Sequence, residues 1–344
     1  MSARIAHRNN FNLIRLVAAT QVLLVHSANH FEITGPLVTA LKVVPGVPAF
    51  FFTSGYLIYY SYERTIQRGL ANFFRNRVLR IYPALIACVL LSALSVYLIG
   101  YFDGIDVPAG EFTLWLIAQS TILQFYNPDF MRGYGVGVLN GALWTISVEV
   151  QFYLLMPAIY FLITRMKKLA WAMLIASMIV NVLVRQYLEW DNVLARLLYV
   201  SFIPWIYMFL FGAFVASTDG LRATFERIDL KFWIIFYVLS MNIIGPYVIN
   251  ASNAINPISF VLLAGCIMKL AYMDLRLPYG FNQFVRKNDL SYAVYLYHMP
   301  TINLLLYVRS EPALLNVLLT LLSVLLIAFL SWNLVEKPAL GLKR

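Results

Sequence analysis

The sequence predicts an all-α integral membrane protein with about ten transmembrane helices and both termini in the cytoplasm. Three observations support this fold class: an apolar composition, long apolar stretches along the whole chain, and basic residues concentrated in alternate loops. The composition is 61% hydrophobic and only 12% charged, whereas soluble proteins carry roughly 25% charged residues. A chain with half that charge could not cover the surface of a soluble fold.

The predicted spans follow from apolar stretches close to the roughly 17–25 residues that cross a bilayer. They lie near 12–28, 44–62, 81–100, 141–163, 168–186, 197–217, 231–249, 257–273, 290–308 and 312–334. An eleventh stretch, 112–126, is short and contains Gln119 and Gln124, so we interpret it as an interfacial or re-entrant segment. The first span is a retained helix rather than a secretory signal, because Arg15 interrupts it and further spans follow at once.

The distribution of basic residues decides the topology. If 112–126 does not cross the membrane, 21 of the 26 Lys and Arg residues fall on one side, as expected for cytoplasmic loops. If it did cross, the basic cluster at 165–168 would face outward and the asymmetry would be lost. We therefore expect one polytopic domain over 1–344, an external lobe at about 101–140 and no appended soluble domain. These loops explain the net charge of +10, and nucleic acid is not an expected partner.

Four ionisable residues fall inside predicted spans, where they are costly and indicate function: Arg15, His26, Glu149 and His298. Arg15 and His26 are eleven residues apart, so they share a helix face and are separated by about 16 Å along it. Counting from the inner ends of their spans puts Glu149 at the depth of His26, where it would orient the imidazole, and His298 between Arg15 and His26. The structural alternatives are an anchoring arginine and side chains satisfied by helix packing.

The predicted loop between the second and third spans contains five arginines and no lysine: Arg64, Arg68, Arg75, Arg77 and Arg80. The planar guanidinium suits phosphate oxygens, although topology alone would also place positive charge here. No P-loop, HExxH motif or zinc-spaced Cys/His cluster occurs, so a metal site is not expected.

In the order and spacing of these residues, the sequence resembles members of the membrane-bound acyltransferase family 3. Enzymes of this family O-acylate bacterial glycans and other acceptors. Arg15 and His26 match its R-x10-H motif. Further similar segments are 47–58, 77–83, 144–153, 291–300 and 336–338. The resemblance covers nearly the whole chain; one departure is Val150, where many members have a second glutamate.

The resemblance implies a donor, a membrane and an acceptor. The donor would be acyl-CoA, commonly acetyl-CoA, used as a substrate with no permanently bound cofactor. The acceptor would be a glycan or lipid-linked glycan, and the chain would lie among the lipids of the bacterial cytoplasmic membrane. The phosphates of the donor would be held by Arg15, Arg75, Arg77 and Arg80.

The resemblance also implies roles for the intramembrane residues. His26 would act as general base or form a transient acyl-imidazole, and Glu149 would orient it. Tyr297, His298 or Ser147 would donate to the thioester oxygen. The competing interpretation is a secondary transporter or glycan flippase with a His/Glu/Arg relay, although the sequence shows no paired inverted halves with broken helices.

Overall fold

The structure is a computed structural model that describes residues 9–187, 193–244, 255–308 and 312–343. Every regular element in these residues is a helix, as hydrocarbon surroundings require of a backbone that must satisfy its own hydrogen bonds. The helices are α1 (Phe11–His30), α2 (Pro36–Lys42), α3 (Gly46–Thr65), α4 (Leu70–Leu98), α5 (Ala109–Gln119), α6 (Trp144–Arg165), α7 (Lys167–Tyr187), α8 (Val193–Tyr199), α9 (Ile206–Ser217), α10 (Asp219–Arg227), α11 (Leu230–Ile244), α12 (Pro257–Tyr272), α13 (Tyr279–Lys287), α14 (Ser291–Val308), α15 (Ala313–Ser331) and α16 (Lys337–Gly341). A π-helical turn, Trp332–Glu336, joins the last two.

The predicted all-helical, multi-pass character is confirmed. Within the described ranges, six helical stretches are long and apolar enough to cross a membrane: Phe11–His30, Pro36–Arg68, Leu70–Leu98, Trp144–Arg165, Lys167–Val184 and Ala313–Gly341. Helices α9, α11 and α12 are apolar but shorter, and α14 has 18 residues, so the total of ten and the orientation remain predictions. Helix α5 has 11 residues, about 16 Å, and is too short to cross the roughly 30 Å hydrocarbon core.

One predicted boundary is wrong. The arginine-rich segment was expected to be a loop that ends near residue 80, but α4 begins at Leu70 and runs for 29 residues. Arginine is a good helix former, so a helix can continue past the apolar stretch into the interface. Arg77 and Arg80 consequently stand on a rigid helix, one turn apart.

The surfaces of the outer helices are apolar. Helices α4, α7, α11 and α15 expose large hydrophobic side chains, such as Leu94, Ile179, Phe236 and Leu322, each about half accessible or more. Apolar surfaces of this extent are rare on soluble monomers. They are the expected surface for contact with lipid tails.

Helix α3 lies in the core and packs most closely on α9. The contact depends on two glycines without side chains: a Cβ at Gly55 would lie 2.0 Å from the carbonyl oxygen of Phe209, and one at Gly212 would lie 2.3 Å from that of Phe52. Small residues allow this approach of backbones in membrane proteins. The approach fixes α3, which carries Phe50 and Ser54 towards the site.

Gly55→Ala is therefore expected to separate α3 from α9 and to destabilise the protein by about 3 kcal/mol or more, at the upper end for overpacked cores. The measurement is the thermal unfolding midpoint of purified protein in detergent. Gly110→Ala is the matched control, because the position lies in α5 and no atom of the described part of the chain lies within 4 Å of the new Cβ. Equal midpoints for the two variants would contradict the packing argument.

The segment between α4 and α6 forms a lobe with its own hydrophobic cluster, which includes Trp115, Phe130 and Tyr134. The lobe is held to α14 by a hydrogen bond to a backbone carbonyl that Pro300 leaves without its helical partner. Proline has no N–H, so the carbonyl of Leu296 loses its helical partner, and it accepts a hydrogen bond from the side chain of Asn140 instead, at 2.8 Å. The lobe thus packs on the helix that carries His298.

Candidate active site

Two histidines from different helices meet in the core. Nδ1 of His26 on α1 lies 3.1 Å from Nε2 of His298 on α14, and the rings are 5.1 Å apart between centroids. His298 is fully buried, whereas His26 is half-buried. The pair exists because α1 packs along α14, so their side chains occupy the same depth.

The hydrogen bonds assign the tautomers. Nδ1 of His298 lies 2.6 Å from the carbonyl oxygen of Tyr295, which only accepts, so this nitrogen carries the hydrogen. In a neutral ring Nε2 of His298 then accepts, and His26 donates from its Nδ1. The lone pair of His26 is left on Nε2. A ring held in this way, with its outer nitrogen unprotonated, can accept a proton or attack a carbonyl.

A second feature is a polar cavity of about 300 Å³. Four basic side chains line it, namely Arg15, Arg77, Arg80 and Lys343, against two carboxylates, Glu149 and Asp289. The excess of positive charge favours an anionic ligand. Its other lining residues are Asn12, Ser54, Leu57, Ile58, Ile81, Tyr153, Tyr292, Trp332 and Leu340. We call this space the arginine cavity.

Asp289, which lies just before α14, holds two of these arginines. Its Oδ2 lies 2.6 Å from Nη1 of Arg15 and 2.5 Å from Nη2 of Arg80, and its Oδ1 accepts a hydrogen bond from Ser291. Burial alone would raise the pKa of Asp289, but Arg15 and Arg80 hold that pKa well below its usual range. The carboxylate therefore stays ionised at neutral pH and fixes guanidinium groups from α1 and α4.

Arg77 retains donor capacity. Its Nη2 donates to Ser61 at 3.0 Å, and its guanidinium lies over the rings of Phe73 and Tyr153, at 5.7 Å from each centroid. Its Nε is buried with no hydrogen-bond partner among the described residues. Buried donors are rarely left unpaired, so this group suits a ligand oxygen.

A chain of side chains connects the cavity to the histidines. The guanidinium of Arg15 lies 5.9 Å from the ring centroid of Phe50. The ring centroids of Phe50 and Tyr295 are 5.7 Å apart, and those of Tyr295 and His298 are 5.4 Å apart. A space of about 30 Å³ lies along this path, lined by Arg15, Val47, Phe50, Phe51, Thr145, Ile146, Glu149, Tyr292 and Tyr295. The passage is therefore narrow, and Phe50 and Tyr295 form part of its wall.

Comparison with known proteins identifies the family of the chain. Residues 8–334 match the sequence model of acyltransferase family 3, which is described as an acyltransferase domain. The chain belongs to the acyltransferase 3 family. It is an acyltransferase, and the resemblance inferred from the motifs is confirmed.

Two relatives match almost end to end. "Nodulation protein 10" of Rhizobium leguminosarum bv. viciae is 28% identical over 98% of this chain and 94% of its own. An "O-acetyl transferase" of Shigella phage Sf6 is 25% identical over 96% of each. "O-acetyltransferase OatA" of Staphylococcus aureus is 34% identical over 36% of this chain and 21% of its own. No solved structure matches this acyltransferase.

The structure corrects the expected role of Glu149. Its carboxylate accepts hydrogen bonds from Ser54, at 3.1 Å, and from Tyr153, and His298 is the group that contacts His26. The depth estimate for Glu149 assumed that equal depth means contact, but α1 packs on α3 and α14. His298 itself lies beside His26 rather than between Arg15 and His26. Glu149 belongs to the arginine cavity.

Three further predicted site residues lie elsewhere. The hydroxyl of Ser147 lies 2.8 Å from the carbonyl oxygen of Ile122 and 3.1 Å from Oε1 of Gln124, so it joins α6 to the lobe and is not available to a thioester. Tyr297 is buried one residue from His298, on another side of α14. Arg75 does not line the arginine cavity, since it lies two residues from Arg77 on a helix.

Sequence reasoning gave no site role to two groups in the acyltransferase site, although one of them, Glu336, lies in the 336–338 segment of the resemblance. Asp289 stands immediately before the 291–300 motif, and its only signal is an acidic residue in a basic inner segment. Glu336 is buried in the π-helical turn, with its carboxylate 3.7 Å from Nη1 of Arg80. Such turns inside helices often mark functional sites. Both carboxylates position Arg80.

Proposed function

We propose that this acyltransferase moves an acetyl group from cytoplasmic acetyl-CoA to a hydroxyl of a surface or lipid-linked glycan, within the bacterial cytoplasmic membrane. The single observation that carries the proposal is the placement of a cationic cavity and a base along one helix. Arg15 lies in the cavity, and His26 follows on the same face about 16 Å further along α1. Acetyl-CoA has its groups in the matching order, with phosphates at one end for the cationic cavity and a thioester at the other end for the base.

The chemistry assigned to the histidines balances without any other reactant. The acceptor hydroxyl gives its proton to Nε2 of His26, and its oxygen attacks the thioester carbon. The C–S bond breaks, and the thiolate takes the proton back from the imidazolium. The alternative route, attack by Nε2 to form an acyl-imidazole, uses the same nitrogen. In either route His298 holds the His26 ring in the active tautomer.

The acceptor and the orientation of the chain rest on three supports. Two relatives are named "O-acetyl transferase" and "O-acetyltransferase OatA", which supports transfer of an acetyl group to an oxygen atom. The basic residues favour an arginine cavity that faces the cytoplasm. The lobe also packs on α14 beyond His298, where the side chain of Asn303 donates to the carbonyl oxygens of Val138 and Leu139, so a glycan that arrives from outside would enter beneath the lobe.

The competing interpretation from the sequence, a transporter or flippase, does not account for the match of residues 8–334 to an acyltransferase domain. The proposal is tested by the mass of surface glycan from cells with and without the chain. A gain of one acetyl ester per repeating unit, lost in the His26→Gln variant, is expected. An unchanged glycan mass in cells that contain the folded protein would contradict the proposed acceptor.

Donor binding should depend on pH through Lys343, which lies after α16 at the wall of the arginine cavity. Partial burial and the nearby Arg77 and Arg80 lower the pKa of Lys343 to about 7. Below that pH the lysine is charged and attracts the donor phosphates, and above it the attraction is lost. Between pH 6 and pH 8, affinity should fall about threefold relative to the Lys343→Arg variant.

The measurement is the equilibrium dissociation constant of acetyl-CoA at both pH values in purified protein. The donor itself gains negative charge over this range, since a phosphate monoester has a second pKa near about 6. This change affects both proteins equally, so only the difference between them reports Lys343. Parallel pH profiles would rule out titration of Lys343.

A further inference from the structure

A second polar cavity adjoins the arginine cavity. It has a volume of about 330 Å³, within the range of small-molecule sites. It is lined by Asn9, Asn10, Asn12, Leu13, Leu277, Asn282, Val285 and Arg286. Four of the eight side chains are carboxamides and one is a guanidinium, so the lining is rich in neutral hydrogen-bonding groups. We call this space the amide cavity.

The walls of the amide cavity are fixed. The side chain of Asn10 donates to the carbonyl oxygens of Leu270 and Met273, at 2.8 Å each, and so closes the end of α12. The side chain of Asn12 donates to the carbonyl oxygens of Val285 and Arg286, at 3.3 and 3.4 Å, and so holds α13. Both amide hydrogens of Asn12 are thereby used, and only its carbonyl oxygen remains for a ligand.

Asn12 connects the two cavities, because it lines both. Along α1 the order is therefore Asn12 at the amide cavity, Arg15 in the arginine cavity and His26 at the histidine pair. Asn12 and Arg15 are separated by about 4.5 Å of helical rise, and Arg15 and His26 by about 16 Å. The distance from Asn12 to Arg15 is about the size of a phosphate group, whereas the distance from Arg15 to His26 can be covered only by an extended part of a ligand.

The lining chemistry suits a purine nucleotide. The carboxamide of Asn282 presents a donor and an acceptor side by side, which matches the amino group and ring nitrogen on the edge of adenine. The carbonyl oxygen of Asn12 can accept from the same amino group. Leu13 and Leu277 supply apolar surface for the faces of a base. Arg286 supplies a guanidinium, which binds phosphate oxygens in a bidentate manner.

From this arrangement we infer that the amide cavity binds the 3′-phosphoadenosine end of the acyl-CoA donor. Asn282 and Asn12 contact the base edge, and Arg286 binds the 3′-phosphate. The diphosphate then lies in the arginine cavity, and the pantetheine arm extends past Phe50 and Tyr295 to His26. The inference rests on the proposed function, since it places the nucleotide of the donor named there.

The test compares two donors in the purified full-length chain in lipid: acetyl-CoA, and acetyl-4′-phosphopantetheine, which lacks the nucleotide. The variants are Asn282→Ala, Arg286→Ala and the pair together. For the double variant the KM for acetyl-CoA should rise about tenfold or more, as expected when bonds to a charged group and a base are lost. Its kcat, and its KM for the truncated donor, should stay at wild-type values.

Arg227→Ala is the control for removal of one basic side chain, because Arg227 ends α10, is exposed and lies outside this cavity. It should alter neither KM. An unchanged KM for acetyl-CoA in the double variant would overturn the inference, as would an equal rise for both donors. If the wild-type protein transfers acetyl from neither donor, the proposed function is wrong. If the wild-type protein is active and the variants are unaffected, only the assignment of the amide cavity is wrong.

Discussion

His26→Gln is expected to lower acetyl transfer by at least about 100-fold while leaving the affinity for acetyl-CoA unchanged. General base catalysis is worth about 10²–10⁴-fold, and the glutamine amide cannot accept the hydroxyl proton. Donor affinity is kept because the arginine cavity and the amide cavity do not include His26. The measurements are single-turnover acylation rates and the dissociation constant for acetyl-CoA, each in purified protein.

His30→Gln is the matched control for His26. It removes a histidine one turn further along the same helix, with its ring 6.2 Å from the His26 ring between centroids. We expect this variant to keep most of its turnover, since His298 and not His30 contacts Nδ1 of His26. A His26→Gln protein with more than about a tenth of wild-type turnover would refute general base catalysis by His26.

The second large effect is expected at His298. Its Nε2 is the acceptor that orients His26, so His298→Leu leaves the Nδ1 hydrogen of His26 without a partner and releases the tautomer. Turnover should fall about 100-fold. His298→Gln should recover part of this loss, because an amide oxygen can accept the same hydrogen bond.

The two histidines should also behave as one unit. Residues that act together are strongly non-additive, so the double variant His26→Gln with His298→Leu should be no slower than His26→Gln alone. The readout is the single-turnover rate, with unfolding midpoints to show that each protein is folded. Fully additive losses would mean that His298 contributes by a route independent of His26.

The fold and the site differ in how far the sequence could predict them. Hydropathy and helical geometry are properties of one segment, so the helical spans and the shared face of Arg15 and His26 follow directly. The choice of neighbouring helix depends on packing between distant segments. Glu149 was predicted to contact His26, and His298 to lie between Arg15 and His26. The packing of α1 on α14 instead brings His298 against His26.

Asp289 was not predicted as a site residue for the same reason. Asp289 joins Arg15 and Arg80 from sequence positions more than 200 residues apart, and no local pattern predicts such a bridge. The start of α4 at Leu70 was missed for a different reason, because hydropathy identifies the apolar stretch rather than the helix that extends beyond it. The amide cavity lies in such an interfacial region, where only Asn12 and Leu13 of its lining residues fall within a predicted span.

Reconstituted vesicles give the most direct test of the proposed reaction. The chain alone is placed in lipid with glycan from cells that lack it, and acetyl-CoA labelled in the acetyl group is added on the side of the arginine cavity. We predict labelled, alkali-labile ester on the glycan and one free CoA thiol per ester with wild-type protein, and neither with His26→Gln. Movement of glycan or solute across the bilayer without thiol release or ester formation would contradict acyl transfer by this chain.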